Sequence, residues 1–265
     1  MCILCNPMDI SLKYVMQVEC CRYVKILPKE MINLWSLVCK DAFYIKEIPK
    51  EFVNLRKLVI SSSRNITYIP KEFVKLEYLD CESCIDIQEI PKEFINLRIL
   101  NCSRTAITSI PNKLEYLRSL KCIGCENLSK IPNELKNLTM LECRYCPKIT
   151  HIPYGLSNLK KLDCVECVNM HDIASIKGLK NIFCIGCTKL VFSPDFITCD
   201  RYNRYHTEKH ARNVENNYRN YLQEGCKKLV NSILEELVQK TWEPKRVMEW
   251  CWDEEEKKFM NGMIS

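Results

Sequence analysis

The chain has 265 residues, of which 47% are hydrophobic and 27% are charged, and its formal net charge at pH 7 is +6. That length is enough for one repeat domain and a small additional module. No run of 18 apolar residues occurs, which argues against a membrane-spanning helix. The basic residues are scattered along the chain without clustering, which argues against nucleic acid as a partner.

Residues 1–11 are predicted to form a short N-terminal cap. They contain no basic segment followed by an apolar run of the length that a secretory signal requires. We therefore expect a protein of the cell interior, in the cytoplasm, where cysteines stay reduced.

A sequence phrase of nearly constant length recurs from residue 12 to residue 198. Its clearest copy contains Leu76, Leu79, Cys81, Cys84 and Pro91. One proline marks most copies, at intervals of 20 or 21 residues: Pro28, Pro49, Pro70, Pro91, Pro111, Pro132 and Pro153. This constant period predicts a solenoid of stacked repeats.

Each copy predicts one short strand and one tight return turn. In Leu79-Asp80-Cys81 the apolar, polar, apolar alternation is that of a strand with one buried face, and such strands would pair into a sheet. The following proline predicts a short 3₁₀ or α-helical turn, because proline is tolerated in a first helical turn. One apolar column is expected to lie buried under these turns: Phe52, Phe73, Phe94, Leu114, Leu135 and Leu156.

The leucine spacing and the period of these copies resemble those of the leucine-rich repeat family, over roughly residues 12–198. The resemblance implies an α/β fold, a right-handed solenoid of about nine turns with a parallel sheet on its concave side and short 3₁₀ or α turns on its convex side. It also implies an extended concave surface that is suited to binding. A fold does not identify a function, and the resemblance names no partner.

The chain has 19 cysteines, many of them in C-x-x-C pairs such as Cys81 and Cys84. Such pairs often bind zinc, but in another copy the same two positions hold Ile60 and Ser63, which a metal site would not accept. We therefore predict buried structural thiols, with no metal and no cofactor. The second thiol of each pair is expected to donate a hydrogen bond to a carbonyl group of the neighbouring repeat.

The outward-facing strand positions are predicted to bind a protein partner. Acidic and basic residues alternate there from repeat to repeat, so we expect a partner of mixed charge. Tyr78 and Tyr145 are the expected affinity anchors, because aromatic side chains dominate the energetics of interfaces. The predicted partner-binding residues are Tyr78, Asp80, Glu82, Asn101, Arg104, Lys121, Glu142, Arg144, Tyr145, Asp163 and Glu166.

Residues 199–265 lack the repeat and predict helices instead, on the basis of apolar residues at three- and four-residue steps. We interpret them as a helical cap or as a docking module in which Trp250, Trp252 and Phe259 are possible anchors. A string that begins at Trp242 also resembles the C-terminal segments of leucine-rich repeat proteins of large DNA viruses. That shorter resemblance implies no chemistry.

We predict a non-enzymatic protein–protein interaction module. Two alternatives stay open: an adaptor that recruits machinery through its C-terminal helices, and a ubiquitin-transfer enzyme. The second depends on the tripeptide Cys251-Trp252-Asp253. It resembles the catalytic motif of bacterial leucine-rich repeat ubiquitin ligases, in which a cysteine attacks a thioester. The segment after the repeats is several times shorter than the catalytic domain of that family.

Overall fold

The computed structural model describes residue 4, residues 11–173, residue 176 and residues 178–190. In chain order the strands are β1 Gln17–Glu19, β2 Ser36–Val38, β3 Lys57–Val59, β4 Tyr78–Asp80, β5 Ile99–Asn101, β6 Ser119–Lys121, β7 Met140–Glu142, β8 His151–Ile152, β9 Lys161–Asp163, β10 Asp172–Ile173 and β11 Asn181–Phe183. Nine of them form one sheet in the order β1-β2-β3-β4-β5-β6-β7-β9-β11, and β8 and β10 form a second, two-stranded sheet. All pairs are parallel, as the stacking of repeats predicts.

Every three-residue strand buries its middle residue, as the sequence alternation predicts. The middle residues lie opposite one another in register, for example Leu58, Leu79 and Leu100, and all three are fully buried. A strand this short leaves most of its backbone groups unpaired on its own, so the sheet depends on neighbouring repeats for its hydrogen bonds. One continuous apolar core runs along the array beneath it.

The return segments are hydrogen-bonded turns. The Phe52 N–H donates to the Pro49 carbonyl three residues earlier, at 3.2 Å, which is the hydrogen bond of a 3₁₀ turn. The predicted column of phenylalanines and leucines is fully buried. Within the described residues, the 3₁₀ helix Leu12–Tyr14 is the only helix. The tight turn predicted from the proline is therefore present, whereas its α-helical alternative is not formed in this part of the chain.

In the pairs that the structure describes, the second cysteine donates a hydrogen bond to the backbone of the preceding repeat, as predicted. Cys84 Sγ lies 3.0 Å from the Ile60 carbonyl oxygen, and Cys167 Sγ lies 2.9 Å from that of Cys143. In the repeat that has serine at this position, Ser63 Oγ makes the equivalent bond at 2.9 Å. Burial raises the pKa of Cys84 to about 11, so this thiol stays protonated at neutral pH.

One pair of cysteines departs from the prediction of thiols throughout the core. Cys20 and Cys39 occupy the same position in two successive repeats and form a disulfide, with their Cα atoms 4.7 Å apart. That distance is the separation of neighbouring strands in a sheet. Repeat stacking therefore brings the two sulfur atoms together, although Cys122 and Cys143, which are neighbours in the same way, are not joined.

A row of asparagines, which the sequence analysis did not predict, connects the return turns. Asn54 Nδ2 donates to the Ile32 carbonyl at 3.0 Å, and Asn96 Nδ2 donates to the Val74 carbonyl at 2.9 Å. The same bond recurs at Asn137 and Asn158, and Asn33 Nδ2 makes a similar bond to the Lys13 carbonyl. The signal for this row was the dipeptide Asn-Leu, which recurs at the repeat period.

Some predicted segments lie outside the described residues. They are most of the N-terminal cap (residues 1–11), the end of the repeat region after residue 190, and the helical module of residues 199–265, which includes Cys251, Trp250, Trp252 and Phe259. In the part that the structure describes, no helix is both long and apolar enough to span a bilayer.

Candidate functional site

The strand side of the solenoid carries three sets of side chains. We call the first and third residues of the nine strands of the large sheet the sheet face. The residue before each of these strands belongs to the pre-strand column: Met16, Trp35, Arg56, Glu77, Arg98, Arg118, Thr139, Lys160 and Lys180. The residue three places after each strand of the large sheet except β1 belongs to the left-handed column, in which every φ is positive: Asp41, Ser62, Ser83, Arg104, Gly124, Tyr145, Glu166 and Gly186.

Nine of the eleven predicted partner-binding residues belong to the sheet face or the left-handed column. Six lie on strands of the sheet face: Tyr78, Asp80, Asn101, Lys121, Glu142 and Asp163. The prediction of strand positions was wrong for the other five. Arg104, Tyr145 and Glu166 belong to the left-handed column, and Glu82 and Arg144 lie one residue before it. The strands have only three residues, so the chain has already left the sheet at these positions.

Glu142 is a buried carboxylate that two lysines hold in place. Lys161 Nζ lies 2.9 Å from Oε1 and Lys121 Nζ lies 3.2 Å from Oε2. Burial raises the pKa of this carboxyl, but the hydrogen bonds from Lys161 and Lys121 outweigh it, and the pKa lies below its usual value. Glu142 is therefore ionised at neutral pH and fixes both lysines on the sheet face.

Asp163 is only 1% exposed and forms an ion pair with the guanidinium group of Arg144. The hydrogen bond to Asp163 raises the pKa of Arg144. One donor and one acceptor of this pair, Arg144 Nε and Asp163 Oδ1, are buried without a hydrogen-bond partner. The sequence analysis assigns Asp163 and Glu142 to direct partner contact. Side chains this deeply buried offer a partner little surface, and their carboxylates form ion pairs with basic neighbours.

A hydrogen-bonded polar network joins β4 and β5. Asp80 Oδ1 accepts from the Glu82 N–H at 3.1 Å, and Asn101 Nδ2 donates to Glu82 Oε2 at 3.0 Å. Asn101 Oδ1 accepts a hydrogen bond from the hydroxyl of Ser103 at 2.7 Å. Ser103 is buried, and the sequence analysis missed it. Burial raises the pKa of Asp80. The network fixes the side chains of Glu82 and Asn101 relative to each other.

The two predicted aromatic anchors differ in exposure. Tyr145 is 55% exposed, whereas Tyr78 is half-buried and burial raises its pKa. Lys57 Nζ lies 5.6 Å from the centroid of the Tyr78 ring, within the range of a cation–π contact. Tyr145 therefore offers the larger aromatic area to a partner.

The left-handed column holds non-glycine residues in a backbone conformation that favours glycine. The φ angles of Arg104, Tyr145 and Glu166 are 55°, 55° and 60°. Their N–H groups donate to carbonyl groups of the next repeat at 2.6–2.9 Å, so the stacking imposes the conformation. A Cβ at Gly124 would lie 3.4 Å from Arg104 Cγ, and one at Gly186 would lie 2.6 Å from a carboxylate oxygen of Glu166. The side chains of Arg104 and Glu166 thus lie against a glycine of the next repeat.

The pre-strand column is basic, a feature that the sequence analysis missed. It holds five basic residues and a single acidic one. Backbone hydrogen bonds connect its successive members. The Thr139 N–H donates to the Arg118 carbonyl at 2.8 Å, the Lys160 N–H to the Thr139 carbonyl at 2.9 Å, and the Lys180 N–H to the Lys160 carbonyl at 2.9 Å. A comparison of the residue before each predicted strand across the repeats would have revealed this column, because stacking aligns equivalent positions.

These sets offer hydrogen bonds, ion pairs and aromatic contacts to a ligand. Among the described residues, no group of three or more His, Cys, Asp or Glu side chains is arranged to hold a metal ion.

No protein-family model matches the sequence, and no curated protein matches it. Among solved structures, it is similar to the leucine-rich repeat domain of the type III effector XopL, with 21% identity over 66% of this chain and 68% of that one and a TM-score of 0.57. The functional domain of InlJ from Listeria monocytogenes, which includes a cysteine ladder, is 16% identical over 62% of this chain and 56% of its own, with a TM-score of 0.35. An internalin, InlF, from the same organism is 14% identical over 68% and 73%, with a TM-score of 0.43. The comparisons do not support the resemblance to proteins of large DNA viruses, and the likeness to XopL is one of fold.

Proposed function

We propose that this protein, which has the leucine-rich repeat fold, is a non-enzymatic interaction module that binds a protein partner through the sheet face and the left-handed column. Glu142 and Asp163 support the surface by fixing the basic side chains beside them. The residues that would contact the partner are Tyr78, Asp80, Glu82, Asn101, Arg104, Lys121, Arg144, Tyr145 and Glu166.

The left-handed column carries the proposal. The eight repeats of this column each have a positive φ at this position, and glycine adopts it without the roughly 1–2 kcal/mol penalty that a side chain incurs. Two of the eight positions hold glycine and six do not. Asp41, Ser62 and Ser83 have short side chains, whereas Arg104, Tyr145 and Glu166 have long ones that can reach a partner. Long side chains held in such a backbone conformation are typical of functional sites.

The charges of the column suggest how a partner would be oriented. Arg104 and Glu166 have opposite charges and lie on either side of Tyr145 along the solenoid. Opposite charges at the two ends of a contact favour one orientation of the partner, while a central tyrosine contributes more of the affinity. We therefore expect a partner with an apolar pocket between an acidic and a basic residue.

We also propose that the protein acts in the cytoplasm. Besides Cys184, ten described cysteines between Cys81 and Cys187 are buried thiols outside any disulfide, whereas Cys20 and Cys39 are joined. A chain with so many thiols at neighbouring positions folds more safely where thiols stay reduced. Microscopy of the tagged full chain tests this: accumulation in a secretory compartment would contradict the proposal.

Glycine substitutions in the left-handed column test the function without disturbing the fold. The variant Arg104→Gly/Tyr145→Gly/Glu166→Gly removes the three side chains, and glycine adopts the required φ at each position. In affinity purification from cells, we expect this full-length variant to lose at least about tenfold of the captured partner. Its midpoint of thermal unfolding should not fall.

The matched control makes the same backbone change in other repeats. The variant Asp41→Gly/Ser62→Gly/Ser83→Gly also replaces left-handed residues with glycine but leaves the proposed contacts intact. It should retain the partner. If both variants capture the partner as well as the natural chain does, the left-handed column is not the binding surface.

A further inference from the structure

The single acidic residue of the pre-strand column shows how this column binds a carboxylate. Glu77 lies between two arginines from the neighbouring repeats. Its Oε1 is 3.2 Å from Arg56 Nη1, and its Oε2 is 3.5 Å from Arg98 Nε. One carboxylate therefore bridges the basic residues of the preceding and following repeats, at the spacing that stacking sets.

The same arrangement recurs farther along the column without its carboxylate. Thr139 takes the place of Glu77, between Arg118 and Lys160, and the same chain of backbone hydrogen bonds connects the three residues. Thr139 Oγ1 is already used, since it donates to the Arg118 carbonyl at 2.9 Å. Arg118, Lys160 and the next residue of the column, Lys180, form no ion pair with any residue that the structure describes.

We propose that the space over Thr139 binds a glutamate or aspartate side chain of an acidic segment in the protein partner. Its carboxylate would bridge Arg118 and Lys160, as the carboxylate of Glu77 bridges its two arginines, and Lys180 would attract the acidic residues beside it. This inference rests on the proposed function and adds one element to it: the partner is acidic where it passes the pre-strand column.

The observations favour a protein carboxylate over a nucleic acid. A phosphate backbone binds best along an uninterrupted basic track. Here Glu77 interrupts the column and its single negative charge is shared by the two arginines beside it. Among the described residues, the basic members of the column that form no ion pair lie only at one end. A short acidic segment needs no more than that end.

A substitution that supplies the missing carboxylate from within the chain tests the proposal. Thr139→Glu should occupy the space as Glu77 does, whereas Thr139→Gln adds a side chain of the same size without the charge. The probe is a fluorescent peptide of alternating glutamate and glycine, titrated with the full chain at low salt and followed by fluorescence anisotropy. We expect Thr139→Glu to weaken binding by about fivefold, and Thr139→Gln by less than about twofold.

The reverse substitution is a second, independent variant. Glu77→Gln removes the carboxylate that occupies the first arrangement and exposes Arg56 and Arg98. The variant should bind additional peptide, with a stoichiometry that rises toward two. Equal binding by Thr139→Glu and Thr139→Gln, or no gain from Glu77→Gln, would overturn the proposal. A single-stranded oligonucleotide of equal charge that binds more tightly than the peptide would overturn it in favour of nucleic acid.

Affinity purification separates this inference from the proposed function. If the partner is retained by Thr139→Glu but lost from the glycine variant of the left-handed column, the carboxylate site is wrong and the proposed function stands. If the partner is lost from Thr139→Glu but retained by the glycine variant, the pre-strand column binds the partner and the left-handed column does not. Loss from both variants, with Thr139→Gln unaffected, supports both.

Discussion

The hydrogen bonds of the cysteine row make a measurable contribution to stability, which Cys167 can test. Its buried thiol donates to the Cys143 carbonyl at 2.9 Å. Cys167→Ala removes this bond, worth about 0.5–1.5 kcal/mol, and leaves a buried carbonyl without that donor. It also leaves a void the size of one sulfur atom, which costs about 1 kcal/mol more. We expect the free energy of unfolding to fall by roughly 2 kcal/mol.

Cys167→Ser is the matched comparison, because the array itself contains a serine at this position. Ser63 Oγ donates to the Cys39 carbonyl at 2.9 Å and is fully buried. A serine at position 167 can therefore keep the hydrogen bond, and we expect it to cost less than about 1 kcal/mol. Urea unfolding under reducing conditions, followed by circular dichroism, measures both variants. If serine is as destabilising as alanine, the hydrogen bond contributes little and only packing matters.

Three further predictions follow from single contacts. Gly186→Ala should lower the free energy of unfolding by about 1–2 kcal/mol, because alanine disfavours the left-handed backbone and its Cβ would collide with the side chain of Glu166; the midpoint of thermal unfolding reports it. Asn96→Asp should cost about 1–2 kcal/mol in urea unfolding, because a carboxylate cannot donate to the Val74 carbonyl; an unchanged midpoint would contradict the role of the asparagine row. Glu142→Gln should lower the free energy of unfolding by about 1 kcal/mol at pH 7, because glutamine loses the ion pairs with Lys121 and Lys161. Because the folded pKa of Glu142 is lowered, this difference should be present above the unfolded pKa of about 4.3 and disappear as the pH falls through the folded value; urea unfolding at pH 7 and pH 3 checks it.

The periodic features of the fold could be predicted because each is repeated many times. The alternation in Leu79-Asp80-Cys81 predicts a strand with one buried face, and Leu79 and Cys81 are both fully buried. The exchange of cysteine for Ser63 in one repeat indicates a small polar packing position, and Ser63 makes the same hydrogen bond as the cysteines. A pattern that is weak in one repeat becomes reliable when it recurs at equivalent positions of many repeats, because a chance pattern would not.

The candidate site was predicted less well, because it depends on where each repeat leaves the sheet. Arg104 and Tyr145 were expected on strands, but the strands end three residues earlier. The sequence pattern does not mark where a three-residue strand ends, so residues that follow the strand were assigned to it. The pre-strand column was missed because each repeat contributes only one residue to it, and a single basic residue before a strand indicates no function by itself.

The sequence by itself determined the period, the columns of the core and the thiol hydrogen bonds, all of which depend on residue type at equivalent positions. Only the tertiary structure decided which charged groups pair, and that Asp163 is buried while Tyr145 is exposed. It also showed that Thr139 and Glu77 occupy equivalent positions, each between two basic residues. The physical reason is the separation along the chain of the residues that make each contact. Core burial follows from the alternation along one repeat, whereas an ion pair depends on atoms about 20 residues apart that stacking brings within about 3 Å.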